Sequence, residues 1–168
     1  MQMDIKVYPD PVLKRQCAAV EDITQQLKDF ASDMIETMYE KDGIGLAASQ
    51  VGEDCRLVTV DVTGPQRRED LLVMVNPEIV SCWGDAESEE GCLSLPEFKG
   101  KVRRYEGVKV AWRDLEGNLR EREATGLLAA CLQHEIDHLQ GILLLDRVNR
   151  LKRSMYEKKI KKSGFDSQ

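Results

Sequence analysis

Histidine is nearly absent from this chain: His134 and His138 are the only two in 168 residues. No apolar run approaches the length needed to cross a membrane, so no membrane partner is expected. The opening MQMDIKVYPD lacks a basic stretch, an apolar segment and a small-residue cleavage site, and so does not read as a secretory signal. The five cysteines (Cys17, Cys55, Cys82, Cys92 and Cys131) are odd in number and widely spaced, and no CxxC occurs. That pattern argues against a disulfide framework and for reduced thiols in a cytoplasmic protein. Internal repeats and low-complexity tracts are also missing. What remains is an ordinary globular composition, 42% hydrophobic and 32% charged, in a length that fits one domain.

Charge is distributed unevenly. The net charge of -6 hides a basic stretch over 147–162, with eight basic residues (Arg147, Arg150, Lys152, Arg153, Lys158, Lys159, Lys161, Lys162) and one acid, Glu157. A basic segment on an acidic body points either to a polyanionic partner or to a solvated helix end.

Apolar spacing of three and four from Leu27 through Phe30, Ala31, Met34, Ile35 and Met38 predicts an amphipathic helix over 24–42, capped by Thr24 and ended by Gly43. GIGLAASQVG follows and is too rich in glycine and small residues to continue it. Strands are expected at 56–62 and 71–80, divided by the turn-forming TGPQRRED. GVKVAWRD and LREREAT flank Glu116, Gly117 and Asn118 and read as a hairpin. A helix over 126–141 starts with seven uncharged residues, which predicts burial on most sides, and Gly141 stops it. A last helix begins near Asn149. Short strands before one buried helix suggest an α+β domain.

The chemistry lies on the 126–141 helix. Residues four apart share a helix face, so the imidazoles of His134 and His138 can reach one metal ion. Glu135, in the HExxH position, is placed to take a proton from the water that such a metal activates. Two histidines placed at random in a chain this long fall four apart roughly once in 85 trials, and the added Glu makes chance about tenfold rarer. A catalytic site needs a third protein ligand. With no third histidine, that ligand must be a carboxylate or a thiolate. Cys92, in EEGCLSLPEF, is the candidate, although a lone cysteine is by default a small buried hydrophobe.

Three segments, GIGLAASQVG at 43–52, EGCLSLPE at 90–97 and QHEIDHLQG at 133–141, resemble the signature motifs of peptide deformylase in order and separation. The opening YPDPVLK and the C-terminal helix are similar to the bacterial form, so the resemblance covers nearly the whole chain. It implies antiparallel strands surrounding a central HExxH helix, with a C-terminal helix. It implies a catalytic part over 1–148 and a basic helix and tail over 149–168, within one domain. The implied activity is removal of the formyl group from N-terminal formyl-methionine of newly made polypeptides. Mapped residue by residue, the implied metal ligands are Cys92, His134 and His138, and Glu135 is the general base. The oxyanion donors would be the Gln50 side-chain amide and the Leu93 backbone N–H. Ile44 and Gly45 would pair with the extended peptide, and Ile44, Leu127, Ala130 and Cys131 would line the methionine pocket. Glu90 and Arg104 match a supporting ion pair. Ser88 and Lys99 depart from residues frequent in the family, larger and apolar at the first and arginine at the second.

One divalent ion is expected, Fe(II) by resemblance, with Zn, Ni or Co also suited to two imidazoles and a thiolate. The basic helix would dock on the ribosome. Two other readings fit parts of the sequence: a metallopeptidase cutting internal peptide bonds, and a structural metal site in an RNA-associated module. Gln50 argues against the latter, because a closed structural site has no use for an oxyanion donor.

Overall fold

The computed structural model describes residues 1–163. The tail over 164–168, part of the expected 149–168 segment, lies outside the described residues. Helix α1 spans Gln25–Glu40, and the Thr24 side chain accepts from the Leu27 N–H at its start. It ends at Lys41, two residues before the expected glycine, and the Gly43 N–H then bonds to Met38 O. GIGLAASQVG divides into strand β1 (Gly45–Ala47) and a 3-10 turn (Ala48–Val51). Strands β2 (Leu57–Val60) and β3 (Leu72–Trp83) follow, with the short helix α2 (Gly64–Arg67) inside the expected turn.

Strands β4 (Ala86–Cys92) and β5 (Leu95–Arg104) form a hairpin that the apolar pattern did not reveal. β6 (Gly107–Arg113) and β7 (Leu119–Thr125) form the expected one. All pairings are antiparallel. β1-β2-β3-β6-β7 make one five-stranded sheet, and β4-β5 a separate two-stranded one. β1 is therefore an edge strand, with one side unpaired within the sheet.

Helix α3 (Gly126–Leu139) carries the histidines and packs on the five-stranded sheet. Ala129, Leu132, Ile136 and Leu139 meet Val58, Val60, Met74, Val108 and Val110. Residues 131–139 are buried all round, but the first turn is not: Leu127 is 58% exposed. The uncharged start expected to be buried instead opens at the mouth of a cleft. Helix α4 (Leu144–Arg147) leads to α5 (Arg150–Ser163). α5 buries Tyr156 and Ile160 among Leu13, Leu95, Phe98 and Val102, so it is anchored to the hairpin as well as carrying basic residues. Full burial of one such side chain stabilises by about 1.5–3 kcal/mol. No helix among the described residues is long and apolar enough to cross a membrane.

Candidate metal centre and catalytic cleft

Three elements converge on one point. α3 supplies His134 and His138 one turn apart, with their Nε2 atoms 3.2 Å from each other. The end of β4 supplies Cys92, whose Sγ lies 3.4 Å from His138 Nε2. The three ligand atoms all lie within 4.8 Å of one another. The register shift between Gly91 and Cys92 turns the thiol inward at the hairpin's tip. The 3-10 turn after β1 supplies Gln50, 1% exposed. Its Oε1 accepts the Ala47 N–H at 3.0 Å, and its Nε2 donates to Ser94 Oγ at 3.1 Å and faces Cys92 Sγ at 3.7 Å. Ser94 thus fixes the Gln50 amide; its small hydroxyl carried no signal in the sequence.

The donor set fits a divalent metal. Glu90 Oε1 lies 3.1 Å from His134 Nδ1, so a proton held there leaves the Nε2 lone pair facing Cys92 and His138. His138 is 1% exposed, and burial pushes its pKa well below the usual value, toward the neutral form that a metal needs. Glu135 Oε1 is buried without a hydrogen-bond partner among the described residues, as suits a carboxylate that works on a water beside a metal. Cys92 and His134 line an open cleft with His138 buried behind them, the pattern of a catalytic site, not of a closed structural one.

The electrostatics separate the carboxylates. Burial pushes Glu135 up to about 7, where a general base can hold and release a proton near neutral pH. Burial acts on Glu90 in the same direction, but hydrogen bonds from His134 and Arg104 outweigh it and hold that group at about 2. Arg104 donates to both Glu90 oxygens, at 3.0 and 2.7 Å. Cys131 is a second thiol in this region. Burial, and then Glu135, drives its thiol well above the ordinary range, so it lines the cleft as a small neutral hydrophobe.

The family model described as polypeptide deformylase matches residues 2–154. The chain belongs to the polypeptide deformylase family. Members are metal-dependent hydrolases that remove the N-formyl group from nascent polypeptides. A peptide deformylase of Thermodesulfovibrio yellowstonii is 50% identical over 159 residues, covering 95% of this chain and 96% of its own. One from Brucella suis is 48% identical, covering 93% and 90%. The crystal structure of a peptide deformylase from Legionella pneumophila superposes with a TM-score of 0.92 at 41% identity, over 99% of this chain and 98% of the other. The Synechococcus elongatus deformylase in complex with actinonin superposes at 0.88 with 39% identity, over 96% and 88%.

The deformylase cleft has a volume of about 730 Å³. All five residues expected at the substrate, Ile44, Gly45, Leu127, Ala130 and Cys131, line it, as do Gln50, Leu93, Ser88 and Lys99. Gly45 is required by close approach: a Cβ there would lie 2.5 Å from Glu135 Oε2 and 2.9 Å from Cys131 Sγ. The lining also includes the charged residues Asp42, Glu89 and Glu97, to which the sequence assigned no role.

Proposed function

We propose that formyl hydrolysis is carried by Glu135, Gln50 and Leu93 around a metal held by Cys92, His134 and His138. The observation that carries this reading is the clustering of the three ligand atoms, with Cys92, His134, Gln50 and the unpaired Glu135 lining one cleft. A divalent ion held by Cys92, His134 and His138 would supply Lewis acidity to the site. Glu135 accepts the proton of the attacking water and returns it to the departing amine, so formate and a free α-amino group leave. Gln50 Nε2 and the Leu93 N–H donate to the formyl oxygen as it gains negative charge. Both are placed before reaction, Gln50 by Ala47 and Ser94 and Leu93 by the hairpin turn.

The free edge of β1 supports peptide pairing through the Gly45 backbone and the adjoining Ile44, whose C=O already accepts the Asp61 N–H, as an added strand would pair. The methionine side chain then enters between Ile44, Leu127, Ala130 and Cys131. Fe(II) is the metal we assign, with Zn, Ni or Co able to replace it. The cytoplasm is the proposed location, consistent with five cysteines all free.

Residues 1–148 and 149–168 belong to one unit in this reading, because Tyr156 and Ile160 of α5 are core residues. Ribosome docking falls to the outward basic groups. Arg147, Arg153 and Lys159 already pair with Asp137, Asp146 with Glu157, and Glu97, while Lys152 lies over Phe98. Arg150, Lys158, Lys161 and Lys162 make no ion pair among the described residues and are left to meet RNA phosphate, with a steep salt dependence.

The test is a parallel assay of anaerobically purified enzyme, its metal content measured, on formyl-Met, acetyl-Met and unmodified peptides. Turnover of the formyl peptide alone is expected. Cleavage of internal bonds at a comparable rate overturns the assignment. Charge reversal at Arg150, Lys158, Lys161 and Lys162 is expected to lower ribosome co-sedimentation at low salt. Unchanged co-sedimentation removes the docking reading and leaves the chemistry untouched.

A further inference from the structure

A line of alternating charges runs from the metal centre to the protein's exterior. His134 Nδ1 meets Glu90, and Glu90 receives two hydrogen bonds from Arg104. Arg104 Nη1 donates to Asp137 Oδ2 at 2.9 Å. Arg147 closes the line from outside, with Nε 3.0 Å from Asp137 Oδ2 and Nη2 2.8 Å from Oδ1. Arg147 is the exposed end, with 43% of its side chain accessible, and the four groups behind it are buried or nearly so: 12% for Asp137, 4% for Arg104, 10% for Glu90 and 9% for His134.

We propose that Arg147 is a positioning residue for the metal centre, acting through Asp137, Arg104 and Glu90 on the orientation of His134. The inference rests on the metal-centre reading above. Arg104 is shared between two carboxylates, and its fork satisfies Glu90 only while Asp137 does not draw it away. Arg147 holds Asp137 by both oxygens and balances its charge. Without Arg147, Asp137 keeps one cationic partner, and its attraction for Arg104 is no longer opposed. In a poorly solvated interior a guanidinium between two carboxylates shifts toward the less neutralised one. Glu90 then loses part of the bidentate grip that orients its Oε1 on His134. Groups outside the ligands that fix a ligating histidine change metal affinity by about 10–100-fold.

Arg147 also ends α4, so this line joins the metal ligand to the segment that carries the C-terminal helix. The neighbouring Arg153–Asp146 pair joins α5 to α4 but has no link to Glu90 or Arg104, which makes Arg153 the control for mere docking of that segment.

The experiment uses the full chain loaded anaerobically with Co(II). It reads the ligand-field and thiolate-to-cobalt bands and the rate of metal loss to a chelator. Arg147→Ala is expected to lose cobalt about tenfold faster, with a shifted ligand-field band and the thiolate band retained. Arg147→Lys, which keeps charge but not the fork, is expected between the parent and Arg147→Ala, and it decides the matter if the alanine variant fails to fold. Arg153→Ala is expected to match the parent. Parent-like spectra and loss rates in both Arg147 variants overturn the proposal. Equal effects of Arg153→Ala and Arg147→Ala also overturn it, by reducing the effect to packing. A parent that shows no thiolate-to-cobalt band overturns the metal-centre reading itself, and this proposal with it.

Discussion

Helix α3 and the β4–β5 hairpin each bring ligands to the same point, yet they are built in opposite ways. From Cys131 to Leu139 the helix is buried on every side, so its two histidines sit on an element held by apolar contacts with the five-stranded sheet. The hairpin alternates half-buried and exposed residues along β4, is paired to no other strand, and rests on α5 through Phe98, Val102 and Tyr156. Cys92 is therefore the proposed ligand on the less supported element. The paired contacts of Glu90 and Gln50 offset that: Glu90 joins the hairpin to His134 and Arg104, and Gln50 reaches Ser94 from β1's side. The centre is rigid where the fold is rigid, and elsewhere it is tied by polar side chains.

The sharpest break in that comparison removes chemistry without touching either element. Glu135→Gln is expected to keep the fold and the metal while activity on a formyl-Met peptide falls by about 10²–10⁴. Near-normal turnover of the metal-replete variant would show that Glu135 is not the proton carrier. Gln50→Ala follows, with an expected fall in kcat of about 10²–10³ if its amide serves the oxyanion. A rise in KM with kcat unchanged would instead make Gln50 a ground-state binding group.

Much of this was legible before the structure. His134, Glu135 and His138 are visible because helical spacing converts a sequence interval of four into a shared face. The β6–β7 hairpin was visible because apolar alternation and a turn coincide there, and its bounds agree. The β4–β5 hairpin was not, since AESEEGC has no apolar face to detect; the buried side chains that anchor the pair, Phe98 and Val102, lie on its partner strand. Cys92 is a candidate ligand from the residues alone but becomes the expected one only through a resemblance, because a thiol far away in sequence carries no spacing signal. Asp137 lay inside the HExxH motif unnoticed. Its role depends on Arg104 and Arg147, brought together only by the fold.

Changing the ligand on the hairpin tests the weaker side directly. Cys92→Ser is expected to lose metal on dialysis more than about 100-fold faster than the parent, a larger change than alteration of a group outside the ligands produces. Cys17→Ser, Cys55→Ser and Cys82→Ser are expected to retain metal. Equal retention by Cys92→Ser would remove the hairpin from the centre altogether.

A smaller effect concerns the tie between the two elements. Glu90 has a pKa lowered from 4.5 to about 2 in the fold. A carboxyl depressed in this way contributes stability that is fully present above its unfolded value and lost as pH falls toward 2. Urea midpoints from pH 7 to pH 3 should therefore fall on the acid side, and Glu90→Gln should flatten that limb while lowering the plateau. An acid limb of unchanged steepness in Glu90→Gln would place the sensitivity in other carboxylates.

The central claim is that one metal is held by a thiolate from the hairpin and two imidazoles from the helix. X-ray absorption at the metal edge, on anaerobically purified enzyme at about one ion per chain, tests it most directly. One sulfur near 2.3 Å and two imidazole nitrogens near 2.0–2.1 Å are expected if the ion is zinc, with the sulfur shell absent in Cys92→Ser. A first shell of nitrogen and oxygen alone in the parent enzyme would contradict it.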